Sequence, residues 1–236
     1  MTFVHSKNSR ILVNEDHISG SITGYTVTHQ RDYSTVTSLL DDGYKSIPGL
    51  QSGTLALKGL FDSAAGGLYE EINACVGTDN SVLCTVLPDG FTLGQPAFIT
   101  VADIEGFTVD ASVSDAVSLS VDARPDDGVD LGVSLHAHSA ETADGNGTSV
   151  DNTASSSGGG VASLHLTAYS GLTNIVVKVQ HSADDSTWAD LITFTTATDA
   201  TAERKTITGT VNRYVRATWD VTGTGSATFV VAFARR

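Results

Sequence analysis

Apolar and polar residues alternate along this chain, and the alternation is the feature that most constrains its fold. Along residues 107–123 the apolar members of the pattern are Phe107, Val109, Ala111, Val113, Val117, Leu119 and Val121. A period of two is typical of a strand with one buried face, so these residues predict a hairpin that turns near Asp115. Similar short segments, separated by turn residues, recur along the chain and predict a mainly β protein.

The other side of this hairpin carries small hydroxyl and carboxylate groups. Its members are Thr108, Asp110, Ser112, Ser114, Ser118, Ser120 and Asp122. Residues 107–123 contain no Lys or Arg, and proteins bind nucleic acids largely through these side chains, which displace counterions from phosphates. Two interpretations stay open: the face lines a conduit through which DNA passes without binding, or it is an ordinary solvated sheet face.

The same alternation, together with turn residues, predicts the other elements in the first part of the chain. The predicted strands are residues 10–14, 21–29, 54–61, 82–87, 98–104, 107–113, 117–123 and 129–136. Leu68, Ile72 and Val76 recur at helical spacing and predict one amphipathic helix over residues 63–76, with Asp62 as its N-cap. Such a helix covers one flank of a sheet.

The second part of the chain alternates without a helix. Its predicted strands are residues 161–169, 174–182, 188–195, 213–221 and 227–234, which predict a small all-β sandwich. The residues expected to face its core are Ile175, Val177, Val179, Tyr214, Ala217 and Trp219. Lys178, Arg213 and Arg216 are expected to point outward.

Charge divides the chain in the same way. The net charge is −14, and residues 1–148 account for all of it with 20 acidic and six basic side chains, whereas residues 149–236 hold seven of each. Residues 139–147 contain no large apolar side chain and predict a linker. We therefore expect a first domain over residues 1–147 and a second over residues 148–236.

Several function classes find no support in the sequence. The longest apolar run, residues 229–234, is far shorter than the roughly 20 residues of a membrane-spanning helix. Residues 1–16 lack the apolar centre of a signal peptide, so synthesis in the cytoplasm is expected, with Cys75 and Cys84 reduced and buried rather than bridged. No nucleophile, base or phosphate-binding motif was found at a workable spacing, which predicts a protein that is not an enzyme and has no cofactor.

Two sets of residues could hold a metal ion. His136 and His138 would share one strand face, but without a third ligand a solvated strand end is the better interpretation. Asp126, Asp127 and Asp130 could hold calcium, yet the Pro and Gly among them favour a turn between two strands. No metal site is therefore predicted.

Three stretches of the first domain, residues 52–74, 107–123 and 126–145, together resemble the tail tube (major tail) proteins of long-tailed phages of the siphophage type. The resemblance covers about residues 1–147. It implies that copies associate side by side into rings, usually hexameric, and that the rings stack into a tube whose lumen conducts the genome during ejection. It also implies a location in the virion tail, after assembly in the host cytoplasm.

The resemblance also implies residue roles and partners. Candidates to face the lumen are Asp110, Ser112, Ser118, Ser120 and Asp122. Residues 30–52 correspond to a loop that reaches a neighbouring ring, and its candidate contacts are Arg31, Asp32, Asp41, Asp42 and Lys45. The tape measure protein and DNA would pass through the lumen without specific binding, and tail terminator and distal tail proteins would contact the tube. The second domain resembles an immunoglobulin-like or carbohydrate-binding-like decoration outside the tube.

Two alternatives from other classes remain. Trp188, Trp219 and Tyr214 could stack on sugar rings and make the second domain a glycan-binding or cell-surface-binding module, although burial in the core is the favoured interpretation of both tryptophans. A depolymerase would need two carboxylates roughly 5 Å apart in a cleft, and no sequence pattern marks such a pair.

Overall fold

A computed structural model describes residues 3–79 and 82–236. Its strands in the first part of the chain are β1 (Arg10–Val13), β2 (Asp16–His17), β3 (Ile22–Thr35), β4 (Ser46–Leu60), β5 (Val82–Leu87), β6 (Pro96–Asp110) and β7 (Ser118–Glu141). Those that follow are β8 (Gly145–Asn146), β9 (Val150–Asp151), β10 (Gly160–Ser182), β11 (Ala189–Thr193), β12 (Thr201–Ile207) and β13 (Tyr214–Arg235). The helix α1 is Leu68–Cys75, and 3-10 turns lie at Ser6–Asn8 and Ile18–Gly20. The predicted mainly β class is confirmed.

The strands form one hydrogen-bonded antiparallel sheet with the central order β11-β10-β13-β7-β6-β5-β1-β2. β4 branches from the first half of β7 and carries β3 on its outer side, while β12 pairs with β10. β8 and β9 pair with the first half of β13. Among the described residues, no helix has the length and apolar character needed to cross a membrane.

Eight of the predicted strands are joined into four long ones, β6, β7, β10 and β13, because β-bulges bend a strand without ending it. The turn predicted around Asp126 and Asp130 is therefore wrong. Ile99 and Val101 of β6 pair with Asp130 and Asp126, so β7 accommodates two extra residues and continues. Asp127 and Gly128 adopt positive φ angles of 60° and 73° within this bulge, which explains why the segment has the composition of a turn.

The helix is shorter than predicted. It begins at Leu68 with Gly67 as its N-cap, and Asp62 is not the cap. Gly66 has a φ of 73°, a conformation that ends any helix preceding it. The side chain of Asp62 instead accepts a hydrogen bond of 3.0 Å from the amide of Ala64, in the turn before the helix.

Three apolar clusters hold the molecule together. The first packs Leu68 and Ile72 of α1 against the sheet of the first part of the chain, and the second fills the space between strands β10 to β13. The third is shared, because Leu12, Leu87 and Ile99 pack against Val161, Val230 and Ala232. We call the parts of the chain before and after residue 147 the first and second lobes, and the third cluster contains residues of both.

The segment 139–147 is not an open linker. Its first residues complete β7, where Glu141 pairs with Ala227, and β8 pairs with Thr218 and Trp219. The indole N–H of Trp219 donates to the carbonyl of Ala143 at 3.0 Å. Backbone hydrogen bonds form without large side chains, so the polar composition of this segment did not reveal that it pairs with β13. The division of the chain at residues 147 and 148 stays a prediction.

Polar groups also cross between the lobes. The fully buried His165 of β10 donates from Nδ1 to the carbonyl of Asn14 at 2.6 Å, and its Nε2 lies 2.7 Å from the hydroxyl of Thr85. Burial lowers the pKa of the His165 imidazole from 6.5 to about 4, although the bond to Asn14 opposes this shift. The ring is therefore neutral at neutral pH and connects strands of both lobes.

A second connection consists of charged groups. The guanidinium groups of Arg204 in β12 and of Arg236 lie 3.0 Å and 2.9 Å from the carboxylate of Asp130, whose side chain is 2% exposed. Both arginines also contact Asp127, which is 52% exposed. Two of the three carboxylates considered for calcium, Asp127 and Asp130, are thus paired with arginines of the second lobe.

We expect Asp130→Asn to lower the free energy of unfolding by roughly 3 kcal/mol, because the substitution leaves two partly buried guanidinium groups without their buried counter-charge. Asp127→Asn is the matched control, since it faces the same arginines from an exposed position and should cost less than about 1 kcal/mol. Urea denaturation of both variants measures the difference. Equal losses would show that burial of Asp130 does not determine the strength of this connection.

We expect the protein to lose stability as the pH falls from 6.5 to 4. The unfolded chain protonates His165 near pH 6.5, whereas the folded protein resists protonation until about pH 4. The contribution of this residue is therefore complete above pH 6.5 and declines by roughly 2 kcal/mol by pH 5. Denaturation of the natural protein and of His165→Met at pH 7.5 and pH 5 tests this, and the variant should show the smaller decline. Identical declines would contradict the assignment.

Candidate functional site

Four strands form a separate part of the sheet, which we call the open sheet. It consists of residues 22–28 of β3, 54–60 of β4, 118–124 of β7 and 104–110 of β6, in that spatial order. Cross-strand pairs fix the register, since Leu57 lies between Tyr25 and Val121, and Val121 also pairs with Phe107. The hairpin predicted over residues 107–123 is the β6–β7 edge of this sheet.

One face of the open sheet is buried. Leu55, Leu57, Leu119 and Val121 are at most 2% exposed and pack in the same cluster as α1. The predicted inward face of the hairpin is confirmed for Leu119 and Val121. Val109, Val113 and Val117 lie near the tip of the hairpin and are exposed.

The opposite face, which we call the polar face, consists mainly of small polar side chains. Alternation and register place on it Thr26, Thr28, Thr54, Ala56, Lys58, Leu60, Thr108, Asp110, Ser118, Ser120, Asp122 and Arg124, and Leu60 is 44% exposed opposite Ser118. Four of the five lumen candidates, Asp110, Ser118, Ser120 and Asp122, thus lie on one surface. The fifth, Ser112, lies beyond the end of β6 in the turn, where its hydroxyl is 3.1 Å from that of Ser114.

The polar face also carries two basic residues that the hairpin sequence does not contain. Lys58 of β4 pairs with Ser120, and Arg124 lies opposite Asp103. Both are exposed. The period-two pattern of β4 predicts that Lys58 points away from the core. It does not predict that Lys58 lies beside Ser120 of β7, which is 62 positions away in the chain. With Asp103, Asp110 and Asp122 on the same surface, carboxylates still outnumber cations.

Both outer edges of the open sheet have unpaired backbone groups. Within the described residues, β3 pairs with β4 alone, and β6 beyond its bulge at Gly106 pairs with β7 alone. Exposed edges of this kind are templates for pairing with another chain. Because the two edges lie on opposite sides of the same four strands, one copy can add to the next in a repeating arrangement.

The segment predicted as a loop over residues 30–52 is largely a two-stranded arm. β3 continues to Thr35 and β4 begins at Ser46, so the turn spans only residues 36–45. Arg31 and Asp32 lie on the arm strand, and Asp41, Asp42 and Lys45 lie in the turn. Pro48 and nearby glycines have the composition of a loop, but Pro is tolerated at a strand edge, and here it pairs with Tyr33.

The arm is exposed and apolar. Every residue from 29 to 50 except Asp41 is exposed, and the large apolar side chains among them are Tyr33, Val36, Leu39, Leu40, Tyr44, Ile47 and Leu50. Leu40 and Tyr44 at the tip are 95% and 97% exposed. An isolated two-stranded hairpin is marginally stable in water, and many exposed large apolar side chains on one short segment favour an interaction site. The arm therefore has the features of a segment that packs on another molecule.

The turn of the arm has internal order. The carboxylate of Asp41 accepts hydrogen bonds from the amide and hydroxyl of Ser38 at 2.7 Å and 3.0 Å and pairs with Lys45. The contact with Lys45 and the amide of Ser38 hold the pKa of Asp41 below its usual value. Asp42 is exposed beside this pair.

His136 and His138 do not share a face, contrary to the prediction. Phe229 pairs with Ser139 and Val231 with His136, so β7 has one extra residue between these two pairs. This bulge reverses the alternation between the two histidines. His136 stacks on Phe229 with ring centroids 4.0 Å apart, whereas His138 stacks on Phe91 at 4.7 Å. No group of three metal-binding side chains occurs in the described parts of the chain. Cys75 and Cys84 are buried, as predicted, and Nδ2 of Asn14 lies 3.8 Å from Sγ of Cys75.

The aromatic residues of the second lobe do not form a common platform. Trp219 is 6% exposed and belongs to the core, while Trp188 is half-buried with the guanidinium of Arg216 at 4.1 Å from its ring. Tyr214 was predicted to face the core with Ala217. In the structure Val215 and Ala217 are fully buried and alternate with Tyr214, which is half-buried beside Arg213 on the outer side.

No protein-family model and no curated protein matches the sequence. Among solved structures, a chain from the virion of a native gene transfer agent particle is 15% identical with a TM-score of 0.43, over 54% of this chain and 97% of that chain. A chain from the SPP1 tail tube is 9% identical with a TM-score of 0.43, over 54% and 77%. The SPP1 Dit protein, described as part of a hub adsorption apparatus in phages of Gram-positive bacteria, is 10% identical with a TM-score of 0.36, over 95% and 98%. All three TM-scores are below 0.5 and do not establish a common fold.

Proposed function

We propose that this chain is a structural protein of a phage tail, and that its copies join edge to edge through the open sheet into rings that stack as the tail tube. One observation carries the proposal: within residues 3–79 and 82–236, nothing pairs with the two outer edges of the open sheet or covers its polar face, whereas its apolar face packs against the core. A closed ring removes both edges, and heterologous contacts close when the rotation per copy permits. The virion tail, after assembly in the host cytoplasm, is the location that follows.

The dimensions of such a ring suit duplex DNA. Six copies with four strands each give a barrel of roughly 24 strands, and strands about 4.8 Å apart with a tilt of ~40° give a backbone diameter of roughly 50 Å. Three copies would give about half of this, and inward side chains would narrow it further. The hexamer implied by the sequence resemblance is therefore a ring whose opening can pass the genome.

The polar face suits the wall of a conduit. Hydroxyls and carboxylates dominate this surface, among them Thr108, Asp110, Ser118, Ser120 and Asp122. The cations that a passing phosphate backbone could bind are those of Lys58 and Arg124. Affinity for DNA grows with the number of phosphates neutralised, so two basic residues per copy among carboxylates give little retention. The tape measure protein would pass along the same surface.

The arm extends the ring into a tube. Its exposed apolar residues require a surface on another copy, and we assign that surface to the neighbouring ring, with Arg31, Asp32, Asp41, Asp42 and Lys45 at or beside the contact. The second lobe is fixed to the first by a shared apolar layer and would decorate the outside. Tail terminator and distal tail proteins would cap the ends of the tube.

Negative-stain electron microscopy of the full chain tests the proposal. At about 0.15 M salt, where only charges closer than about 8 Å still repel strongly, we expect long tubes with a central channel. A variant in which Asn-Gly replaces residues 36–45 closes the arm with a tight turn and should form rings without long tubes.

The negative charge of the protein predicts that tube formation depends on salt concentration. Many copies with a net charge of −14 are packed together, so tubes should shorten in salt-free buffer as repulsion between copies grows. Monodisperse monomers at every protein and salt concentration would contradict the proposal. Tubes that form equally well without the arm would contradict its assigned role in stacking.

A further inference from the structure

An open groove of about 620 Å³ lies at the base of β3, at the end of the open sheet that is distant from the tip of the arm. We call it the basal groove. Val4, Lys7, Arg10, Ile22, Tyr25 and Pro88 are among the residues that line it. Its size is that of a site for a few side chains, and its lining combines apolar surface with positive charge.

The positive charge of this groove is unusual for the first lobe. Residues 1–148 have six basic side chains, and two of them, Lys7 and Arg10, line the groove. Nη1 of Arg10 donates to the carbonyls of Lys7, Asn8 and Ser9 at 2.9–3.0 Å, which fixes the guanidinium at the rim. The hydroxyl of Tyr25 lies 3.1 Å from that of Ser9 and orders the wall beside it.

The tip of the arm has the complementary character. Leu39, Leu40 and Tyr44 are its exposed apolar side chains, and Asp42 is an exposed acid between them. Asp41 is held by Ser38 and Lys45, so Asp42 supplies negative charge that is not committed to that turn. Apolar surface and charge therefore match between the groove and the tip.

The groove cannot receive the arm of its own chain. The 14 residues of β3 separate Ile22 at the groove from Thr35 below the tip, and an extended strand of this length spans roughly 45 Å. The tip and the groove thus lie at opposite ends of the β3–β4 hairpin. A contact between them joins two copies head to tail, which generates an open-ended stack.

We propose that the basal groove of one copy receives the arm tip of a copy in the next ring, with Leu39, Leu40 and Tyr44 on its apolar surface and Asp42 beside Lys7 and Arg10. This inference rests on the proposed function and identifies the acceptor surface for the arm. Each ring then presents arm tips on one side and grooves on the other, which gives the tube a direction.

A charge exchange tests the contact. Lys7→Glu and Asp42→Lys should each raise the protein concentration needed for tube formation roughly fivefold or more, and the double variant should return it to within about twofold of the natural protein. The two single changes shift the net charge in opposite directions, to −16 and −12 from the natural −14. General repulsion therefore cannot explain a loss in both.

A matched control separates position from charge. Thr222→Glu with Thr224→Glu on the exposed β13 bend also gives −16 and should leave the critical concentration within about twofold. Pelleting assays measure it, and thermal melting checks that each variant is folded. Lys7→Gln is the milder substitution if Lys7→Glu lowers the melting temperature, and a rise of about twofold is then expected.

The outcomes distinguish this inference from the proposed function. If the natural protein forms no tubes, the proposed function fails. If the natural protein forms tubes and Lys7→Glu forms them at the same concentration, the inference is overturned while the function stands. If the critical concentration of the double variant rises by the product of the two single-variant increases, Lys7 and Asp42 do not face each other. The groove then has a different occupant.

Discussion

A sheet that is covered on one face only is the constraint on which the rest of this structure depends. Leu55, Leu57, Leu119 and Val121 must be buried, and the short helix α1 with the neighbouring strands covers them. Nothing in the described chain covers the polar face or pairs with the two outer edges. Small hydroxyls and carboxylates keep that face soluble without a cover. The unpaired edges are the part of the molecule that a second copy can complete.

The connection between the lobes gives this sheet a fixed frame. Leu12, Leu87 and Ile99 share a layer with Val161, Val230 and Ala232, and His165 and Asp130 add buried polar contacts across the same boundary. Breaking such contacts leaves buried groups without partners, which is more costly than losing exposed ion pairs. The second lobe therefore packs directly against the first.

Local pattern predicted the fold class and the position of most strands, because alternation depends only on which face is buried. It failed where β-bulges intervene: two extra residues between Asp126 and Asp130 have the composition of a turn, and one extra residue in β7 separates His136 from His138. It also missed β12, whose side chains are mostly half-buried and which includes Glu203, Arg204 and Lys205, so it shows no period of two. The helix was predicted too long because Gly66 interrupts it.

The candidate site was predictable in part for the same reason. Asp110, Ser118, Ser120 and Asp122 belong to one hairpin, so their common face follows from local spacing. Lys58 lies on the same face because β4 pairs with β7, and the basal groove is lined by both the N-terminal turn and Pro88. These placements depend on contacts between segments that are distant in the chain. The apolar residues of the arm were visible in the sequence, but only the structure places them on an unpacked hairpin.

Hydrogen–deuterium exchange of the natural protein, measured below and above the concentration at which it assembles, tests edge-to-edge closure most directly. Backbone amides in residues 22–28 of β3 and 106–110 of β6 should exchange more slowly after assembly, because each edge acquires the other as its partner. Residues 55–57 of β4, which already have partners on both sides, should change little. Assembled particles in which both edges exchange at their unassembled rate would contradict closure through the open sheet.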